Sequence, residues 1–115
     1  MLRGEIRLVN LDPVVADEAA KSRPAVLVSH DALNATCAAL GRGVVTVVPI
    51  TSNVARVYPF QVLLDSAGTG LSVESKAQAE QVRAVSVRRI GPRLGRLTAD
   101  LEERLDLALR LHLDL

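Results

Sequence analysis

In GEIRLVNL, residues 4–11, Ile6 and Leu8 alternate with Glu5 and Arg7, a period of two that predicts a short strand. DPVVADEAAKS follows with Asp-Pro, three acids and small side chains, the composition of an exposed loop. AVLVS, residues 25–29, is the second predicted strand. Pro24 fixes its own φ at about −65° and biases the residue before it toward extended geometry, which holds Arg23 stiffly at the mouth of that strand. HDALNATCAALGRG carries turn formers at both ends and helical spacing inside, and predicts one or two helical turns closed by Gly41 and Gly43. VVTVVPI, residues 44–50, is rich in β-branched side chains and is the most strand-like stretch of the chain. Pro49 cannot donate to a ladder and is expected at a sheet edge or at the end of the strand.

TSN then reads as a turn, YPFQVLL as a strand restarting near Phe60, and Gly68-Thr69-Gly70 as a second turn. LSVES is the next predicted strand, AQAEQVRAV a strand-to-turn passage, and RLGRL a last short strand. From Thr98 the period changes to helical, with Leu101, Leu105, Ala108, Leu109 and His112 on one face. Thr98 is a candidate N-cap, and Asp100, Glu102 and Glu103 sit where the helix dipole favours negative charge. Leu107, Leu111 and Leu113 widen the apolar stripe beyond one contact, so the helix is expected to pack on the sheet and to lie near a subunit contact. The sum is about six short strands and one terminal helix: mainly β with α, a small antiparallel β barrel or twisted sheet closed by a helix.

Composition narrows this to one domain over residues 1–115, with 49% hydrophobic residues to fill a small core. No stretch approaches the roughly 20 apolar residues of a helical membrane span. Glu5 and Arg7 interrupt any signal-peptide core, and the single Cys37 cannot close an internal disulfide, so the expected setting is soluble and cytoplasmic. Cys37 reads as a small, half-buried apolar residue rather than a nucleophile. Tyr58 and Phe60 are the whole aromatic supply, which disfavours a single-strand binder that stacks bases on several rings.

The formal net charge of +1 conceals an uneven layout. Arg83, Arg88, Arg89, Arg93 and Arg96 fall in a stretch without an acid, whereas the tail from Thr98 carries five acids and two arginines. Apart from Lys21 and Lys76 every cation is arginine, which can grip a phosphate through two parallel hydrogen bonds. A solvated basic face accounts for the same count, so a nucleic-acid partner is permitted and not demanded.

The histidines, His30 and His112, are far apart, no cysteine pair exists, and no glycine-rich phosphate loop follows a strand; no metal or cofactor is expected. What remains is polar groups at strand ends: Arg23 before the second strand, Thr51-Ser52-Asn53 after the long one, and Lys76, Gln78, Glu80 and Gln81 in an otherwise small-residue stretch. In an antiparallel barrel the start of one strand and the end of its neighbour share a rim. An arginine and a threonine hydroxyl could then face one phosphate.

RGEIRLVNLDP, KSRPAVLVSHDALNA, VVTVVPITSNV, VYPFQVLL and KAQAEQVRAV, in that order, resemble the successive blocks of the MazF/PemK toxins, and GRL followed by a leucine-rich helix is similar to the family's ending. The resemblance spans nearly the whole chain. It implies an SH3-like barrel of the CcdB/MazF type with a C-terminal helix, and a two-fold homodimer. It also implies sequence-specific, metal-independent cleavage of single-stranded RNA, messenger RNA included, which stops translation and growth until an antitoxin neutralises it. Arg23, matching the arginine of the R-P-x-V block, and Thr51, matching the threonine after the long strand, are carried over as catalytic. Ser52, Asn34, Gln78 and Gln81 lie in or beside matching blocks and are carried over as RNA or structural contacts. The chain departs from the family in having Arg7 where many relatives have an aromatic, and His30 where they have asparagine.

Such cleavage uses the substrate's own 2′-OH as nucleophile and leaves a 2′,3′-cyclic phosphate and a 5′-OH. Arg23 would strengthen its hold as charge develops on the non-bridging oxygens. Arginine is a poor base; Glu80 is a candidate base or a structural ion-pair partner, and the base stays unassigned. The competing reading is a non-catalytic toxin of the same fold that binds and poisons DNA gyrase. A phosphate- or RNA-binding module without turnover is a third. The implied antitoxin carries a disordered acidic segment, for which the arginine-rich stretch 83–96 is either a docking surface or a face that guides RNA.

Overall fold

A computed structural model of the chain describes residues 1–11 and 22–115. The elements run β1 Glu5–Asn10, β2 Ser22–Leu27, α1 Asp31–Leu40, β3 Val44–Thr51, β4 Gln61–Leu64, β5 Ser75–Gln78, β6 Arg83–Ser86, β7 Ile90–Arg96 and α2 Ala99–Leu113. Short 3-10 turns, Ala79–Gln81 and Val87–Arg89, join β5 to β6 and β6 to β7. Every pairing is antiparallel, in the order β4-β5-β3-β2-β1-β7, with β6 also on β3. The barrel of antiparallel strands with a terminal helix is thus as the sequence indicated.

β3 organises the core because it is covered on both faces, which is why its sequence is an apolar run rather than an alternation. Val45 and Val47 point into a cluster with Val9, Ala25, Leu27 and Cys37. Val48 and Ile50 point the other way, into a cluster with Ile6, Val26, Leu64, Leu105 and Ala108. β5 and β6 share one edge of β3: β6 pairs with residues 44–47 and β5 with Ile50 and Thr51. The gap between them falls opposite Val48 and Pro49, where proline supplies no amide donor. Pro49 therefore marks neither a sheet edge nor a strand end, as expected from sequence, but the place where a neighbour breaks into a 3-10 turn.

Other boundaries shift. β2 begins at Ser22, so Arg23 and Pro24 lie inside it rather than before it. The helix after it runs ten residues, longer than one or two turns. The strand expected over LSVES starts only at Ser75, and RLGRL is the end of a strand beginning at Ile90. The loop expected over residues 12–22 falls, except for Ser22, outside the described residues.

α2 begins as its sequence requires: the Thr98 hydroxyl accepts from the Leu101 amide at 3.3 Å. Leu105 and Ala108 are buried, with Leu101 and Leu109 packed beside them. His112, assigned to the same stripe, is exposed, because the helix runs past the sheet before it ends. Arg3 ties this helix to the barrel, donating to Glu102 at 3.2 Å, Asp106 at 2.7 Å and the Val28 carbonyl at 2.9 Å.

Candidate active site

The β2–β3 ladder pairs Leu27 with Val47, Val26 with Val48 and Ala25 with Pro49, and then stops. It stops at Pro24, the next position from which β2 would donate to β3 and one that has no amide. Continued two residues further, the same register brings Arg23 across from Thr51. Between the parted strand ends is a cleft of about 220 Å³, walled by Arg23 and Pro24 on one side and Ile50, Thr51 and Ser52 on the other. Its third side is the chain leading into β5: Leu71, Ser72, Val73 and Ser75.

Arg23 is exposed and makes no hydrogen bond or ion pair among the described residues, so its donors are available to a ligand. Thr51 is half-buried, and its hydroxyl oxygen accepts the Asn53 amide at 3.2 Å. That bond occupies a lone pair and leaves the hydroxyl proton to be given elsewhere. One guanidinium and several hydroxyls around a small cleft make a site for a tetrahedral anion. None of the described lining residues carries a carboxylate, imidazole or thiolate.

The other residues singled out from sequence divide. Ser52 lines the cleft and is exposed. Asn34 does not reach it: it is 0% exposed in α1, its carboxamide oxygen accepting from the Ser29 hydroxyl and its nitrogen donating to the Ser29 carbonyl at 2.9 Å. That position supports the structural role of the two offered for it. Gln78 ends β5 opposite Gln61, and Gln81 is exposed on the 3-10 turn; neither lines the cleft. Glu80 accepts from Gln61 Nε2 at 2.7 Å and is likewise away from the cleft wall.

The arginine-rich stretch is not one free surface. Arg83 donates to the Leu11 carbonyl at 2.8 Å and Arg89 to that of Asn10 at 3.3 Å, so both grip the end of β1. Arg93 stands 3.9 Å from the buried Glu5 carboxylate, which also meets Arg7 at 3.2 Å. Arg7, in the place where many relatives carry an aromatic, thus closes an ion-pair cluster on β1 and β7. His30 caps α1, its Nδ1 accepting from the Ala32 amide at 3.0 Å.

A small antiparallel barrel with a C-terminal helix and a cleft at its rim is the CcdB/MazF type of fold. The family of PemK-like, MazF-like toxins of type II toxin–antitoxin systems matches residues 2–113. Endoribonuclease MazF9 of Mycobacterium tuberculosis is 57% identical over 115 residues, covering 100% of this chain and 98% of the relative. Endoribonuclease PemK of Escherichia coli is 37% identical over 100 residues, 84% of this chain and 70% of that protein. The Mycobacterium tuberculosis toxin MazF-mt6 superposes with a TM-score of 0.77 at 26% identity, covering 96% of this chain and 97% of that one. The chain belongs to the MazF/PemK family of endoribonuclease toxins. The gyrase-binding alternative gains no support from these relatives.

Proposed function

We propose that the chain cleaves single-stranded RNA at the cleft between Arg23 and Thr51, without a metal ion. The substrate's 2′-oxygen bonds to phosphorus and the bond to the 5′-oxygen breaks, giving a 2′,3′-cyclic phosphate and a 5′-OH. One proton leaves the 2′-oxygen and one arrives at the 5′-oxygen. Arg23 donates to the non-bridging oxygens as their charge grows, and the Thr51 hydroxyl fixes the phosphate's orientation. Ser52, which lines the same cleft, adds a third donor.

The observation that carries this reading is that the β2–β3 ladder ends at Pro24, leaving an uncommitted arginine and an oriented hydroxyl around one cleft. A long RNA digested in the presence of chelator, with cut sites mapped by primer extension, tests it. Cleavage at a defined sequence is expected, and it should vanish with Arg23→Ala while the fold persists. Cleavage that survives Arg23→Ala, or that stops on chelation, overturns the mechanism.

The family's place in toxin–antitoxin systems supports an antitoxin partner, and the exposed Arg88 suits an acidic segment of such a partner. The exposed leucines of α2 support a homodimer, with Leu107 60% and Leu111 58% exposed. Among the described residues no helix is long and apolar enough to cross a membrane, which is compatible with the cytoplasm as the compartment where messenger RNA is met.

A further inference from the structure

Lys76 is one of only two lysines in the chain, and it is 7% exposed. It stands in register with Thr51 on β3 and with Leu63 on β4. Directly opposed residues of an antiparallel pair share a face, with Cβ atoms roughly 5 Å apart. The next residue, Ala77, faces the core together with its partner Ile50, so Lys76 and Thr51 lie together on the opposite face of the sheet. A lysine there would ordinarily reach solvent. This one instead donates from Nζ to the Arg56 carbonyl at 2.6 Å, in the connection that leaves Thr51.

Three hydrogen bonds then link Thr51 back to its own strand partner. The Asn53 amide donates to the Thr51 hydroxyl at 3.2 Å, the Ala55 amide donates to Asn53 Oδ1 at 3.3 Å, and Lys76 holds the carbonyl of Arg56. The first of these orients the Thr51 hydroxyl, and the last pins the far end of the segment that supplies it. A buried ammonium is expensive to place where an apolar side chain would pack as well, which is a reason to look for a use beyond packing.

Resting on the reading of Arg23 and Thr51 given above, we propose that Lys76 is a positioning residue for cleavage. By clamping the Arg56 carbonyl it folds residues 52–56 over the sheet and aims the Thr51 hydroxyl at the phosphate. It touches no reacting atom.

Single-turnover cleavage of a defined RNA, run as a double-mutant cycle, tests this. Lys76→Met is expected to cleave about tenfold more slowly, the scale on which a small misplacement of a reacting group shows. Its affinity for the same RNA carrying a 2′-deoxy nucleotide at the cut site should stay within about twofold, since ground-state contacts are untouched. Lys76→Arg should recover most of the rate. Lys76→Met combined with Thr51→Ala should be no slower than Thr51→Ala alone, because a residue acting through Thr51 has nothing left to position.

Rates that multiply across the two sites overturn the proposal while leaving the active site intact. So does a loss of affinity that matches the loss of rate. A Thr51→Ala protein that cleaves at the parent rate removes the reading of the site itself, and Lys76 with it. Should Lys76→Met not fold, Lys76→Gln, whose side chain is polar but one bond shorter and falls short of the Arg56 carbonyl, goes through the same cycle under the same criteria.

Discussion

The carbonyl oxygen of Thr69 occupies the space where a side chain on Gly95 would begin: a Cβ there would stand 1.8 Å from it. The contact is mutual, since a Cβ on Gly70, whose φ is +83°, would stand 2.1 Å from the Leu94 carbonyl oxygen. Backbone lies on backbone, and no side chain can be turned aside to make room. The turn seated in this way on β7 leads directly into Leu71, Ser72 and Val73, one wall of the cleft. Gly95→Ala should lower unfolding free energy by about 3 kcal/mol, at the upper end of overpacking costs. Gly41→Ala, with φ +66° and open space around it, should cost only about 1–2 kcal/mol of left-handed strain. Urea titrations of the two proteins check the order; equal midpoints remove the argument.

Arg23→Ala and Thr51→Ala should each lower the cleavage rate by about 10²–10³, the effect of deleting one preorganised donor. Arg23 is exposed and bonded to nothing among the described residues, so its loss should leave the melting temperature within a few degrees of the parent. Thermal melts alongside the kinetics separate a lost donor from a lost fold. A variant that is slow only because it is unfolded would not count.

Arg88 and Arg89 are adjacent in sequence and unlike in setting. Arg88 is exposed and reaches only the Gly41 carbonyl, at 3.3 Å, whereas Arg89 holds the end of β1. If an acidic antitoxin segment docks here, Arg88→Glu should slow its association and flatten the salt dependence without changing stability. Arg89→Glu should lower the melting temperature as well. Association kinetics at two ionic strengths decide the matter: an unchanged rate for Arg88→Glu retires this face as a docking surface.

Leu107 and Leu111 lie exposed on one side of α2, with Leu63 of β4 beside them around a shared groove. Leu107→Asp together with Leu111→Asp should convert a dimer to a monomer, read as a halved mass by light scattering after gel filtration. A parent protein that is already monomeric, or a variant of unchanged mass, moves the subunit contact off this helix.

Local chemistry carried much of the fold. The N-cap at Thr98 and the β-branched run of β3 each depend on neighbours within a few residues and are found where the sequence placed them. Arg23-Pro24 is extended as expected, though inside β2 rather than before it. The pair Arg23 and Thr51 was nameable from the family blocks alone; that they flank one cleft follows from where the β2–β3 ladder stops. His112 could not be sorted from sequence, because helical period says which side it is on but not where the supporting sheet ends.

The amino-acid sequence by itself determined the main element types, the start of the terminal helix, the positions where proline leaves a strand without a donor and the family to which the chain belongs. These are set by φ, by hydrogen-bonding capacity and by residue order. Only the tertiary structure decided which polar groups are spent and which are free. Arg23 and Arg83 look alike along the chain, yet Arg83 is bonded to the Leu11 carbonyl, 72 residues away, and Arg23 to none of the described residues. Lys76 reads as a surface cation until strand pairing sets it beside Thr51 and lays the Arg56 carbonyl over it. Whether a side chain is committed depends on partners that folding brings from distant parts of the chain, and no local pattern encodes that meeting.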